Sequence, residues 1–70
     1  MPDVVGALRV SAVAQLRAIG LSVQVLTVPD KPICDNLGYV ESQAPPPGTV
    51  AAPGGHATIR VYVPPNGGCL

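Results

Sequence analysis

Ser42-Gln43-Ala44-Pro45-Pro46-Pro47-Gly48 is the stretch on which the reading of this 70-residue chain turns. Proline holds φ at about −65° and donates no backbone hydrogen bond, so a run of prolines ends any β-ladder and stiffens the corner that follows. Gly48 then supplies a backbone free to take positive φ, and Gly54 comes six residues later. The pattern predicts a strand end, a rigid turn and a return toward another strand. On the near side, Gly38–Ser42 predicts a short strand. On the far side, Ala57–Val63 alternates clearly, with Ile59, Val61 and Val63 on one face and Thr58, Arg60 and Tyr62 on the other.

Farther upstream, Pro29–Leu37 collects prolines, aspartates, a lysine and an asparagine, which predicts a loop. Ser22–Val28 carries Val23, Val25 and Val28 and predicts a strand. Leu8–Ile19 predicts a helix, because Ala12, Val13, Leu16 and Ile19 recur at steps of three and four and share one face. Gly20 suits the position just past a helix end. The start is weaker: Leu8 offers no capping oxygen, so the helix is expected to fray there or to begin nearer Ser11. Pro2–Gly6 reads as an extended lead-in. No internal repeat is present.

Composition narrows the function classes. Seventy residues make one small domain with a modest core. Tyr39 and Tyr62 are the only aromatics, so that core is aliphatic. Formal net charge is zero and no basic stripe exists, which argues against nucleic-acid binding. No apolar run approaches the roughly 20 residues that span a bilayer, and no signal-peptide pattern is seen. His56 is the only histidine and is expected in an exposed turn after Pro53-Gly54-Gly55. Ser11, Ser22 and Ser42 have no neighbouring cue for a base or an orienting acid. The scattered carboxylates suggest neither a glycosidase pair nor a metal site. Gly54-Gly55 and Gly67-Gly68 lack the P-loop sequence and read as turn glycines. No catalytic residues, metal ligands or cofactor are expected.

Taken in order, the blocks are Pro2-Asp3-Val4-Val5-Gly6, then Ala18-Ile19-Gly20-Leu21, a valine-rich run, a loop, Ser42-Gln43-Ala44-Pro45-Pro46-Pro47-Gly48, a later glycine and a closing valine-rich strand. This series resembles the PASTA domain, a module on the extracytoplasmic side of bacterial penicillin-binding proteins and serine/threonine kinases. The resemblance runs from Pro2 to Val63. Within the family the chain is most similar to the single C-terminal module of bifunctional penicillin-binding proteins of the mycobacterial, actinobacterial type. It implies an α+β fold, one helix packed on a three-stranded sheet, over residues 1–63, followed by a Pro/Gly-rich tail over 64–70. It also implies a role at uncrosslinked peptidoglycan and, in some members, a link to β-lactams. The expected setting is a membrane-anchored parent with its anchor upstream. The nucleophile motif S-x-x-K of penicillin-binding transpeptidases is absent, so any acylated serine of such a parent lies elsewhere.

Two further expectations concern the cysteine pair and a binding face. An even count of cysteines permits one bridge, Cys34–Cys69, and the implied oxidising compartment favours it, although the family manages without cysteine and two free thiols are the alternative. A bridge would pin the tail onto the long loop. A muropeptide would also need aromatic faces for its sugars and cations for its carboxylates. Tyr39, Glu41, Arg60 and Tyr62 are the best candidates for one exposed binding face, and they equally suit an ordinary solvated sheet face with cross-strand pairing. The expected function is a non-catalytic, cell-wall-associated module of a peptidoglycan synthase, monomeric, that meets peptidoglycan weakly and contacts other domains of its parent. The alternative is a muropeptide- or β-lactam-binding sensor of the kinase type.

Overall fold

The computed structural model describes residues 1–50, 52 and 54–70. It is one helix and a three-stranded sheet: α1 (Arg9–Ala18), β1 (Ser22–Pro29), β2 (Val40–Ala44) and β3 (His56–Val63). The α+β architecture read from the sequence is the one observed.

The closing strand lies in the middle of the sheet, in the order β1-β3-β2. β3 runs parallel to β1, with Val23 opposite Ala57 and Val25 opposite Ile59, and antiparallel to β2, with Val40 opposite Val61 and Gln43 opposite Ile59. Its inward residues Ala57, Ile59 and Val61 join Val4, Ala12, Leu16, Leu21 and Val40 to form the core. Val63, also expected inward, lies at the strand end and is only half-buried. The strand after the loop begins at Val40 rather than Gly38 and continues to Ala44, directly before the proline run.

β2 contains one irregularity. Between Val40 opposite Val61 and Ser42 opposite Arg60, β2 advances two residues while β3 advances one. Glu41 is the extra residue of a β-bulge. Side chains alternate in a regular strand, so Val40 and Gln43, three apart, would face opposite ways. The bulge resets the alternation and turns both inward.

α1 carries its apolar stripe in shortened form. Ala12 and Leu16 are buried and Val13 packs against the core, but Ile19 is the C-cap residue and is exposed. The helical spacing that groups Ile19 with Leu16 stops applying where the chain leaves the helix. The end is a Schellman motif: Gly20 N donates to Arg17 O and Leu21 N to Leu16 O, and Gly20 takes the φ of +86° that the motif requires. The start lies at Arg9, with Leu8 as an N-cap whose side chain caps nothing.

Polar side chains fasten the periphery. Gln43 Oε1 accepts from Val4 N at 2.8 Å, and Gln43 Nε2 donates to Pro2 O and Pro45 O, both at 3.0 Å. One amide thereby joins the N-terminal segment, β2 and the proline turn. That segment continues along the outer edge of β2, where Gly6 N donates to Val40 O, Val40 N to Ala7 O and Arg9 N to Gly38 O. Gly48 N donates to Met1 O, and the Met1 ammonium to Thr49 O. Pro53 of the turn before His56 lies outside the described residues.

Two substitutions test this account. Gln43→Leu keeps the volume but strands the Val4 N–H and two carbonyls, so we expect a loss of roughly 1–3 kcal/mol in chemical denaturation; an unchanged midpoint would mean that the three bonds contribute nothing. Leu8→Ser supplies the missing cap oxygen on a residue that already has extended backbone angles (φ −68°, ψ 147°). It is expected to stabilise the domain by about 0.5–1 kcal/mol, and a lower melting temperature would contradict that.

Candidate functional site

Tyr39 and Tyr62 are brought together at one end of the β2–β3 pair. One register step beyond Val40–Val61, Tyr62 N donates to Tyr39 O and Gly38 N to Tyr62 O, each at 3.1 Å. Since Val40 and Val61 point into the core, the two tyrosines point away from it. Tyr62 thus bonds to two successive residues, Gly38 and Tyr39, and both tyrosines border one depression. That depression is a groove of about 430 Å³.

Both rims come from irregular backbone. The β2 bulge presents Glu41 beside Tyr39, and the 30–37 loop presents Asp35 and Asn36. Val5 and Gly6 of the N-terminal segment line the groove as well. The carboxylates bond to neutral neighbours: Asp35 Oδ1 accepts from Asn36 Nδ2 at 3.0 Å, and Glu41 Oε2 from the Ser42 hydroxyl at 3.4 Å.

The loop that carries Asp35 is held at both ends. Asp30, only 6% exposed, accepts from Lys31 N at 2.7 Å through one oxygen and from Asn36 N at 2.9 Å through the other. Its own N–H donates to Val63 O at 2.8 Å, anchoring the loop to the end of β3. Cys34 is disulfide-bonded to Cys69, with Cα atoms 5.7 Å apart, and Leu70 N donates to Pro32 O at 2.8 Å. The bridge anticipated from the cysteine count is therefore present, and the tail lies against the loop.

Arg60 is placed differently from the other three candidate residues. It points to the same side of β3 as Tyr62, roughly 7 Å along the strand, but lines a neighbouring groove of about 260 Å³ with Ser42, Ala44 and Thr58. The tyrosine groove thus has two carboxylates and no Lys, Arg or His in its lining. Asp35 and Asn36 were not anticipated from sequence; their signal was the Asp30–Asn36 spacing inside the loop, which becomes legible only once Asp30 is known to be buried.

Catalytic chemistry finds no assembly here. Ser22 and His56 are register partners and share a third groove of about 270 Å³, lined otherwise by Val23, Gln24, Ala57 and Thr58. No carboxylate lines it, so no third group orients the imidazole. Among the described residues no three His, Cys, Asp or Glu stand close enough to hold a metal ion. No helix among them is long and apolar enough to cross a membrane.

The profile of the PASTA domain family matches residues 1–64. The chain belongs to the PASTA domain family. No curated protein matches it significantly. PASTA domains are non-catalytic modules, extracellular in penicillin-binding proteins and serine/threonine kinases and associated with peptidoglycan binding. The family signatures carry structural work in this PASTA domain: Gln43 of the Ser42-Gln43 block is consumed in three internal hydrogen bonds, and Gly20 closes α1. Tyr39, Glu41, Arg60 and Tyr62 lie outside those blocks.

The bridge closes a span of 35 residues, and cross-linking a loop of that size stabilises a fold by about 4 kcal/mol on the chain-entropy account. Reduction, or the pair Cys34→Ser with Cys69→Ser, is expected to lower the unfolding free energy by several kcal/mol. It should also raise amide exchange at Asp35 and Asn36 above that at Ile59. Equal exchange at Asp35 in oxidised and reduced protein would show that Asp30 alone holds the groove wall.

Proposed function

We propose that this PASTA domain is a non-catalytic, extracytoplasmic module of a peptidoglycan synthase of the penicillin-binding class, which places or orients its parent at the cell wall and has weak or undetectable affinity for muropeptides or β-lactams on its own. The reading assigns the parent to the bifunctional, actinobacterial type and the domain to a membrane-anchored chain. Family membership supports the cell-wall setting.

The charge of the tyrosine groove is the observation that carries the low affinity. β-Lactams and peptidoglycan stem peptides present carboxylates, which are best held by Arg or Lys. The aromatic surfaces suited to the rest of such ligands are bordered here by Asp35 and Glu41, while Arg60 serves the next groove. A ligand that sets its ring against Tyr39 and Tyr62 brings its carboxylate toward like charge. Aromatic and cationic groups of the kinds a muropeptide would need stand on the sheet face but line different grooves.

A backbone amide NMR titration of the oxidised domain with a synthetic muropeptide, and then with a β-lactam, tests this. We expect no saturable shifts that fit a dissociation constant tighter than roughly 10 μM, about −7 kcal/mol. Saturable shifts at Tyr39, Glu41, Arg60 and Tyr62 with a tighter constant would make the domain a wall-sensing receptor instead.

A further inference from the structure

We propose that the tyrosine groove, together with the apolar ledge beside it, is a docking surface for a basic segment of a partner protein, seating a lysine or arginine side chain between Tyr39 and Tyr62 and facing Asp35 and Glu41. Charge complementarity selects this occupant. The groove presents carboxylates from two separate elements, the loop and the β2 bulge, and its lining contains no cation. Each carboxylate bonds to a neutral neighbour, so both retain free lone pairs for an incoming donor. Aromatic side chains beside carboxylates attract ammonium and guanidinium groups through both the ring quadrupole and the ionic contact.

The ledge selects a protein over a free amine. Val5 is 47% exposed, Leu8 50% and Tyr39 41%, and Leu8 is bridged to Tyr39, so these apolar groups adjoin the acidic groove. An open groove leaves a small ammonium compound largely hydrated, and such a compound bears the full loss of translational freedom for one ionic contact. A protein segment delivers the cation together with apolar surface that covers Val5 and Leu8, as interfaces do when an aromatic and apolar centre is rimmed by charge. The inference stands on the groove and its ledge and does not depend on contact with peptidoglycan.

The probe is the blocked peptide acetyl-Ala-Arg-Ala-Lys-Ala-amide, followed by amide NMR on the oxidised domain, with acetyl-Ala-Gln-Ala-Gln-Ala-amide as the neutral control. The basic peptide should shift the amides of Asp35, Tyr39, Glu41 and Tyr62 in a saturable, salt-sensitive manner, and the control should not. Glu41→Gln and Asp35→Asn should each weaken binding, by up to about fivefold for a solvent-exposed ion pair. Arg60→Gln, which removes the cation on the same side of β3 as Tyr62, should strengthen it. Equal responses to both peptides, shifts elsewhere on the surface, or unchanged affinity in all three variants would overturn the proposal. A muropeptide that binds while the basic peptide does not would overturn it as well, and would separately overturn the weak-affinity reading above.

Discussion

One extra residue in β2 sets the terms for the rest of the molecule. β2 has only five residues in which to close the core, receive the N-terminal segment and present a surface. With strict alternation Val40 and Gln43 could not both face inward. The bulge at Glu41 removes that conflict. It seats Val40 against Val61 in the core and aims the Gln43 amide at Val4 and the proline turn, and the displaced residue itself becomes the rim of the tyrosine groove. The irregularity that makes the strand compatible with the fold is the same one that makes the groove.

The core beneath is small and free of aromatics, which leaves the edges of the domain in need of other restraints. Three are built in, each at a place where the chain departs from regular structure. Gln43 gathers the N-terminal segment and the proline turn, Asp30 gathers the long loop, and the disulfide ties the tail to that loop. Both polar groups are well supplied with partners: Gln43 uses its oxygen and its nitrogen, and Asp30 uses both oxygens on backbone N–H groups. Among the described residues no buried side-chain polar atom lacks a hydrogen bond. Partners of this kind are what make buried polar groups tolerable in so thin a core.

The elements were legible in the sequence to the extent that a local period or a stereochemical singularity announced them. The alternation of Ala57–Val63, the steps from Ala12 to Leu16, the punctuation by Gly20 and the proline run each reflect a rule acting over a few residues. Ile19 departs from its helical stripe because the Schellman turn takes over one residue earlier, a boundary effect that periodicity does not encode. Strand order, by contrast, depends on which strands pair, and nothing local distinguishes β3 as the central one. The bulge was equally hidden, since only the register against β3 reveals that β2 has one residue too many. The site shared this division: Tyr39, Glu41 and Tyr62 were found by strand parity, whereas Asp35 and Asn36 reach the groove through a loop whose shape is set by buried Asp30 and a cysteine 35 residues away.

The separation of Arg60 from the tyrosine groove is a feature of the surface that the shared fold does not dictate. The internal fasteners, Gln43 above all, are spent on holding the module together and say little about its ligand. The surface is then left to a handful of outward residues whose identity the fold does not constrain. In this domain the strand face carries its positive charge beside Ser42 and Thr58, and its negative charge beside the two tyrosines. Exchanging those charges would leave every core contact and every fastener intact, yet would reverse the charge of the aromatic groove. The family identity of the chain therefore follows from its glycines, prolines and Gln43, while the charge of its surface grooves follows from where Asp35, Glu41 and Arg60 fall on the surface those residues support.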